Sequence, residues 1–443
     1  MTDLNTPLSD DFVVPTNSDI GATLRPDCES KCTYLCGNSL GLQSKSSVAL
    51  IQEEIHAWGT RAVTGHFSHP QNRPWTKCCD DVHPLLAEVI GARKSEVACM
   101  ATLTNNLHLM MDSFYKPTPT RYKILCEAKA FPSDQYAFRS QVLAHGLDPA
   151  TAILEVSPRE SEYILRQEDI IDIIDREGDS IAIVLFSGVQ YYTGQVFPME
   201  LITKKAKEKG CICGWDLAHA VGNVPLAMHD WDADFAVFCT YKYLNSGPGG
   251  IAGLFIHEKW HETEQPKFAG WWGNELSTRF AMLPVFSPIK GAQGFQQSNP
   301  SALTVASLLG SLNVIKKAGM MQPLRERSVQ LTGALETALK QSKYFVPLPE
   351  IPHNGTEVGF TIITPEDPSA RGAQLSLLFL PLGSETMRVV YDYLSKSGVI
   401  GDEREPDVIR LAPAPLYNTL KDCQHAVEVL ESALDVVSKT KNA

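Results

Sequence analysis

No apolar run in this chain reaches the roughly eighteen residues that a membrane-spanning helix needs, and the 443 residues show neither an internal repeat nor a low-complexity tract. A basic excess is missing as well. The formal net charge is -12 and the sequence pI is near 5.5, which argues against nonspecific binding to nucleic acid or to an anionic membrane. The acidic N-terminus has neither the basic nor the apolar segment of a signal peptide. Eleven cysteines, an odd and scattered number, point to reduced thiols, so a cytoplasmic protein is expected. Cys28, Cys32 and Cys36 stand four apart, but no histidine or further cysteine pair completes a zinc pattern there, and no metal is expected. No Gly-x-Gly-x-x-Gly follows an early strand, which removes the usual dinucleotide signature.

What is present is length, enough for two lobes with a sizeable core, and a rhythm of helix-like and strand-like segments. Residues 1 to about 30 mix Pro, Asp, Thr and Ser without periodicity, as a mobile or wrapping arm would. Helical character over Ser47–Trp58 precedes a His-, Pro- and Gly-rich loop from Arg61 to Trp75. Then come a helix near Val82–Ile90, a strand over Val97–Met100, a helix after Thr104, a strand over Tyr122–Cys126 and a helix after Ser133. A strand over Ile181–Phe186, a helix after Met199, two strands ending near Asp216 and Cys239 and a strand over Ile251–Ile256 complete the run. Such alternation predicts crossovers around a mainly parallel sheet flanked by helices. Pro300–Gly319 and Leu324–Leu339 read as helices, Glu357–Ile363 and Val408–Leu411 as strands, and Val427, Leu430, Leu434 and Val437 mark one face of a terminal helix, a smaller α/β lobe. The expected division is 1–64 as arm and part of the small domain, 65–309 as the large domain and 310–443 as the C-terminal small domain.

The stretch from Cys211 to Gly250 organises the rest. Two short apolar runs end at Asp216 and just before Lys242. In an open parallel sheet the carboxyl ends of the strands face the ligand crevice, so an acid and an amine placed there can converge on one molecule. Pyridoxal phosphate requires both: a lysine for its Schiff base and an acid against its pyridinium nitrogen. Taken alone, an aspartate after a strand is often a helix cap and a lysine is often solvated. Lys242, however, lies between Tyr241 and Tyr243 and just before Gly247, Gly249 and Gly250, which permit close backbone approach to a ligand.

Other strand ends carry compatible groups. The segment 101–106 opens a helix whose free N–H groups, with the Thr104 hydroxyl, can hold a phosphate, although a plain N-cap would look the same. Phe131-Pro132-Ser133-Asp134 follows the next strand, where an aromatic ring can cover a pyridine or simply belong to the core. Ser187 closes the strand after that.

Longer strings carry a family resemblance. Gly37-Asn38-Ser39-Leu40-Gly41-Leu42-Gln43, Lys129–Asp134, Leu185–Gln195, Trp215–Asn223, Tyr241–Asn245, Gly270-Trp271-Trp272-Gly273 and Arg410–Asn418 span nearly the whole chain. With them the sequence resembles the kynureninases, of fungal-type eukaryotic kind: pyridoxal-phosphate enzymes of the aspartate-aminotransferase fold, fold type I. The resemblance implies Lys242 as the Schiff-base lysine, Asp216 at the ring nitrogen, Phe131 stacked on the ring and His219 beside it. Leu103, Thr104, Pro132, Ser133, Asp134, Ser187 and Tyr241 complete the implied cofactor shell, with Trp271 and Asn299 reaching it near a subunit boundary of a homodimer with shared active sites. Arg410 is implied to bind the substrate carboxylate, and Ser39, His66 and Asn299 to lie near the aryl ring. Lys242, Tyr241 and Asp216 are the implied catalytic groups.

The implied reaction is hydrolytic β–γ cleavage of kynurenine or 3-hydroxykynurenine to anthranilate or 3-hydroxyanthranilate plus alanine, in tryptophan catabolism and NAD biosynthesis. Three rivals stand beside it. A cysteine desulfurase needs a nucleophilic cysteine on a loop beyond the lysine, where only Cys423 occurs, inside an expected helix. A class V aminotransferase is separable only by assay, and a catalytically silent relative is opposed by the intact Lys242, Asp216 and Arg410.

Overall fold

The computed structural model describes residues 3–351 and 356–441. Two compact units divide the chain: one takes Ser46–Tyr191 and Phe197–Lys316, the other the chain up to Lys45, Tyr192–Val196 and the chain from Lys317 on.

The larger unit is built on a seven-stranded sheet whose spatial order is Val97–Cys99, Gly253–Ile256, Phe235–Phe238, Ile212–Asp216, Ile181–Ser187, Lys123–Glu127 and Ile153–Val156. Gly253–Ile256 runs antiparallel to both its neighbours, while the five strands from Phe235–Phe238 to Ile153–Val156 are parallel. The central strands are buried on both faces, which is why they read as unbroken apolar runs rather than as alternation. Two glycines are dictated by packing. A Cβ on Gly214 would stand 2.3 Å from the Phe235 ring, and one on Gly253 2.1 Å from the Phe238 ring. Helices Leu103–Phe114 and Pro132–Ala144 bury Leu107, Met110, Met111 and Phe138 into the core beneath the sheet.

The sheet confirms a mainly parallel α/β architecture. Its edge strand Ile153–Val156 and the helix Gln167–Glu177 were not anticipated. Ile153 and Leu154 are only half-buried and Glu155 is exposed, so the strand carries neither a long apolar run nor a clean alternation.

The smaller unit has an antiparallel sheet in the order Gly359–Ile362, Leu375–Leu380, Val408–Leu411, Asp402–Arg404. Helices Met321–Lys340, Thr386–Lys396 and Leu420–Lys441 contribute Leu331, Leu335, Val390, Leu430 and Leu434 to one core with it. The N-terminal arm wraps rather than hangs free: Phe12–Val13 pairs with Gln43–Ser44, and Thr33–Tyr34 runs parallel to Val399–Ile400. The fully buried Arg327 fastens it, donating to the carbonyls of Asp3, Thr6, Pro415 and Asn418 at 2.7 to 3.0 Å.

Candidate active site

At the carboxyl ends of the parallel strands lies a cleft of about 520 Å³, walled entirely by the larger unit. Each strand end delivers a ligand because the chain must turn there, and the turn's side chains face the crevice. From the start of helix Leu103–Phe114 come Leu103 and Thr104; from that of helix Pro132–Ala144 come Phe131, Ser133 and Asp134. Ser187, Asp216, His219, Tyr241 and Lys242 close the wall.

The two helix starts meet. Thr104 Oγ1 and Ser133 Oγ are 2.7 Å apart, and the Leu103–Phe114 helix carries no acid in its first turn and no side-chain cap. Its leading N–H groups therefore keep their partial positive charge for an anion.

Lys242 Nζ sits 6.0 Å from the Phe131 ring centre and 5.9 Å from that of Tyr241. The backbone behind it is locked. Asn245 N–H donates to the Lys242 carbonyl at 3.0 Å, Ser246 N–H to that of Thr240 at 3.1 Å, and the Ser307 hydroxyl to that of Ser246 at 2.8 Å. Gly247 and Gly249 adopt left-handed φ of +90° and +63°, and a Cβ on Gly250 would stand 2.2 Å from Ser246 Oγ. None of the three glycines lines the cleft. They close the turn that presents Lys242, a different use from the ligand approach expected of them.

The acids beneath the amine are almost sealed. Burial pushes Asp216 above the ordinary carboxylate range, opposed by the Ala218 N–H, which donates at 2.7 Å, and by the Lys242 charge. Asp134 is pushed well above that range by burial and by the Asp216 and Glu127 charges, so Asp134 keeps the proton and hydrogen-bonds through it to Asp216. Burial, then Cys239 and Asp216, also push the Tyr241 phenol up, leaving a neutral hydroxyl as a proton donor.

The cleft fits a flat cationic ring carrying an anionic tail. Phe131 leaves 46% of its surface uncovered in the wall, no donor reaches the buried Asp134 Oδ1, and the paired helix starts offer the anion seat.

Comparison with known proteins accords with this arrangement. A family model described as aminotransferase class V matches residues 50–344, and one described as kynureninase C-terminal domain matches residues 324–430. A kynureninase of Yarrowia lipolytica is 50% identical over 415 residues, covering 91% of this chain and 94% of that one. One of Nematostella vectensis is 49% identical over 434 residues, covering 97% and 91%.

The chain belongs to the kynureninase family.

Among solved structures, the complex between the cystine C-S lyase C-DES and its product cysteine persulfide superposes with a TM-score of 0.74 at 17% identity, covering 90% of this chain and 97% of that one. A cysteine desulfurase from Thermococcus onnurineus gives 0.69 at 17% identity, covering 91% and 95%. At that identity the likeness speaks for the fold alone, which is fold type I.

The remaining residues of the kynureninase pattern are not among those lining the cleft. Pro132 is the first residue of its helix, where a missing N–H costs nothing. Trp271 is fixed by its indole N–H donating to the Arg279 carbonyl at 2.9 Å, with its ring edge-on to Phe280 at 5.4 Å. Phe67, beside His66, packs edge-on against the same Phe280 at 5.1 Å, and His66 itself meets the Trp75 ring at 5.4 Å. Asn299 is exposed. Ser39 and Arg410 belong to the smaller unit. There Arg410 is fully buried, opposite Asp402 in the strand register and 2.7 Å from its Oδ2, while Ser39 N–H closes a turn onto the Cys36 carbonyl at 3.0 Å.

Val189, Tyr191, Ala218 and Cys239 also line the cleft without having been singled out, and Tyr191 props Phe131 edge-on at 5.3 Å. Glu127 was missed too. It ends an apolar strand just as Asp216 does, and that signal could have found it.

Proposed function

We propose that this chain is a kynureninase using pyridoxal phosphate to hydrolyse the β–γ carbon–carbon bond of kynurenine, releasing anthranilate and alanine, with 3-hydroxykynurenine as the hydroxylated counterpart. One observation carries the reading: the Lys242 amine and the buried Asp216 carboxyl occur in one cleft, on adjacent strand ends. When bound, the cofactor supplies an electron-accepting ring that makes the substrate's α C–H acidic and lets the β–γ bond break.

The chain's own groups do the rest. Asp216 holds a proton on the ring nitrogen, and Asp134 steadies Asp216 by donating to it. Phe131 covers one ring face, with His219 beside it. Thr104, Ser133 and the N–H groups of Leu103–Phe114 seat the phosphate. With the cofactor bound, Lys242 Nζ would take the α proton, and the neutral Tyr241 hydroxyl would return a proton to the β carbon. Arg410 would bind the substrate carboxylate through paired charge-assisted hydrogen bonds.

We further propose a homodimer in which Trp271, Asn299 and His66 serve sites shared between subunits. The support is an exposed aromatic surface of Phe67 (64% exposed), Phe280 (41%) and Trp271 (46%), joined by the Phe67–Phe280–Trp271 ring contacts, an unusual cost for a free monomer. Among the described residues no helix is long and apolar enough to cross a membrane, and the cytoplasm is the proposed compartment.

The deciding experiment incubates purified protein, pyridoxal phosphate and kynurenine, follows anthranilate by fluorescence and alanine by chromatography, and traps the cofactor on Lys242 with borohydride. Equimolar products with the label on Lys242 support the reading. Trapping without turnover favours a silent relative, and a keto acid formed in step with pyridoxamine phosphate favours an aminotransferase.

A further inference from the structure

Three consecutive parallel strands end in a lateral row of polar side chains. Ser187 lies opposite Asp216 in the strand register, and on its other side the Ser187 hydroxyl donates to Glu127 Oε1 at 2.5 Å. The Ser187 N–H also points at both Glu127 oxygens, 3.3 Å from each. Ser187 and Asp216 line the cleft while Glu127, 2% exposed, lies behind them. The row therefore runs carboxylate, hydroxyl, carboxylate across the floor of the site. A buried acid is costly unless something uses its charge, and the family pattern gives Glu127 no part.

We propose that Glu127 is a positioning residue of the cofactor site: it fixes the Ser187 hydroxyl against the bound ring and lends its negative charge to the row that ends in Asp216.

Two consequences of the geometry support this. Because the Ser187 proton is committed to Glu127, the serine oxygen presents only lone pairs to the cleft, where it can accept from a ligand but not compete for Asp216. The second is electrostatic. Glu127, Asp134 and Asp216 are three buried carboxyls, each within reach of another's charge, and the Lys242 charge acts on the Asp134–Asp216 pair. Without a ligand that excess acid is carried as protons: burial, with the Asp216 charge, pushes Glu127 up to about 7 against the Ser187 bonds that pull it down. A ring bearing a protonated nitrogen supplies the missing positive charge, so binding it draws Glu127 and Asp216 toward their ionised forms, with Asp134 still donating to Asp216. Glu127 thereby acts through Ser187 and through its field, without touching the ring.

The inference rests on the cofactor reading above, and its test separates the two. Wild type and Glu127→Gln are stripped of cofactor, then titrated with pyridoxal phosphate. The dissociation constant, the visible circular dichroism of the bound cofactor and the pH midpoint of its absorbance change are measured. Glutamine can still accept from Ser187 but has no charge. The expected result is binding about tenfold weaker and an absorbance midpoint lower by roughly half a unit to one unit, because a nearby anion no longer favours the protonated chromophore. Glu127→Asp should restore the midpoint while leaving the dichroism altered, since the shorter side chain keeps the charge but withdraws from Ser187. If the glutamine variant binds with the wild-type constant and midpoint, Glu127 is a packing residue and the proposal falls. Should that variant not fold, Ser187→Ala cuts the same link from the other side, and an unchanged constant and dichroism there overturn the proposal equally. Failure of wild type itself to bind would instead sink the cofactor reading.

Discussion

The hydroxyls of Thr104 and Ser133, twenty-nine positions apart in the chain, meet at 2.7 Å where two helices begin. Neither helix start alone distinguishes a cap from an anion seat, and the converging starts with paired hydroxyls are what support the proposed phosphate seat. Thr104→Val and Ser133→Ala should each weaken pyridoxal phosphate binding about tenfold, as loss of one charge-assisted hydrogen bond would. The double variant should lose less than the product of the two. Equilibrium titration of the stripped protein measures it, and affinities at the wild-type level in both variants would remove the phosphate from this place.

Lys242 is presented by a turn locked through Asn245, Ser246 and Ser307, so its side chain can be removed without loosening the fold. Lys242→Ala should be folded, bind the cofactor weakly, yield no borohydride adduct and lose at least about a thousandfold in kcat, the order of losing both nucleophile and base. Mass spectrometry of the reduced protein and anthranilate fluorescence read the two effects separately.

For Glu127 the sign of the pH dependence is fixed by its displacement. Its carboxyl is pushed up to about 7 in the folded chain from an ordinary value near 4.5. Between those values the folded cofactor-free protein holds a proton that the unfolded chain has released, so stability falls as pH rises through that window. The contribution is on the order of 2 to 3 kcal/mol. Cofactor-free Glu127→Gln should therefore melt roughly 2–5 °C above wild type at pH 8 and match it near pH 4.5. Calorimetry across pH checks this, and parallel melting curves at all pH values would count against it.

Arg410 lies at the register position of Asp402 and shares one of its oxygens at 2.7 Å. In the proposed site that guanidinium also takes the substrate carboxylate. Arg410→Lys keeps the charge and loses the fork, so KM for kynurenine should rise about tenfold or more while cofactor absorbance stays the same. A pure fall in kcat would place Arg410 elsewhere in the reaction.

Arg327 is the fastener of the N-terminal arm, with four backbone carbonyls on one guanidinium. Arg327→Leu leaves those acceptors unmatched and should cost about 3 kcal/mol or more. Limited proteolysis should then cut within the first ten or so residues before any other region. An arm as resistant as in the wild type would show that the strand pairing of Phe12–Val13 suffices alone.

How much of this was legible depended on how each residue advertises itself. Strands buried on both faces show as bare apolar runs, so Ile181–Ser187 and Val408–Leu411 could be read almost to the residue. The half-buried edge strand Ile153–Val156 has no such run, and in Leu375–Leu380, although it is fully buried, Ser376 interrupts the apolar run. In the site, the lysine and aspartate were visible because charge directly after an apolar run is expensive unless it is used. Ser187 showed as a small hydroxyl residue closing an apolar strand. Tyr191 and Cys239 did not, since an aromatic or a thiol beside a strand end is ordinary packing until the cleft is seen. The three glycines after Lys242 misled in the opposite way: the need for left-handed backbone was legible, but its cause was the turn and not a ligand.

Every side chain walling the cleft falls between Leu103 and Lys242, and the unit that holds it ends at Lys316. Translation therefore delivers every residue of this cleft wall while the segment carrying Arg410 is still being made. Domains commonly fold as they emerge, so the wall should take shape on the ribosome before the chain is finished.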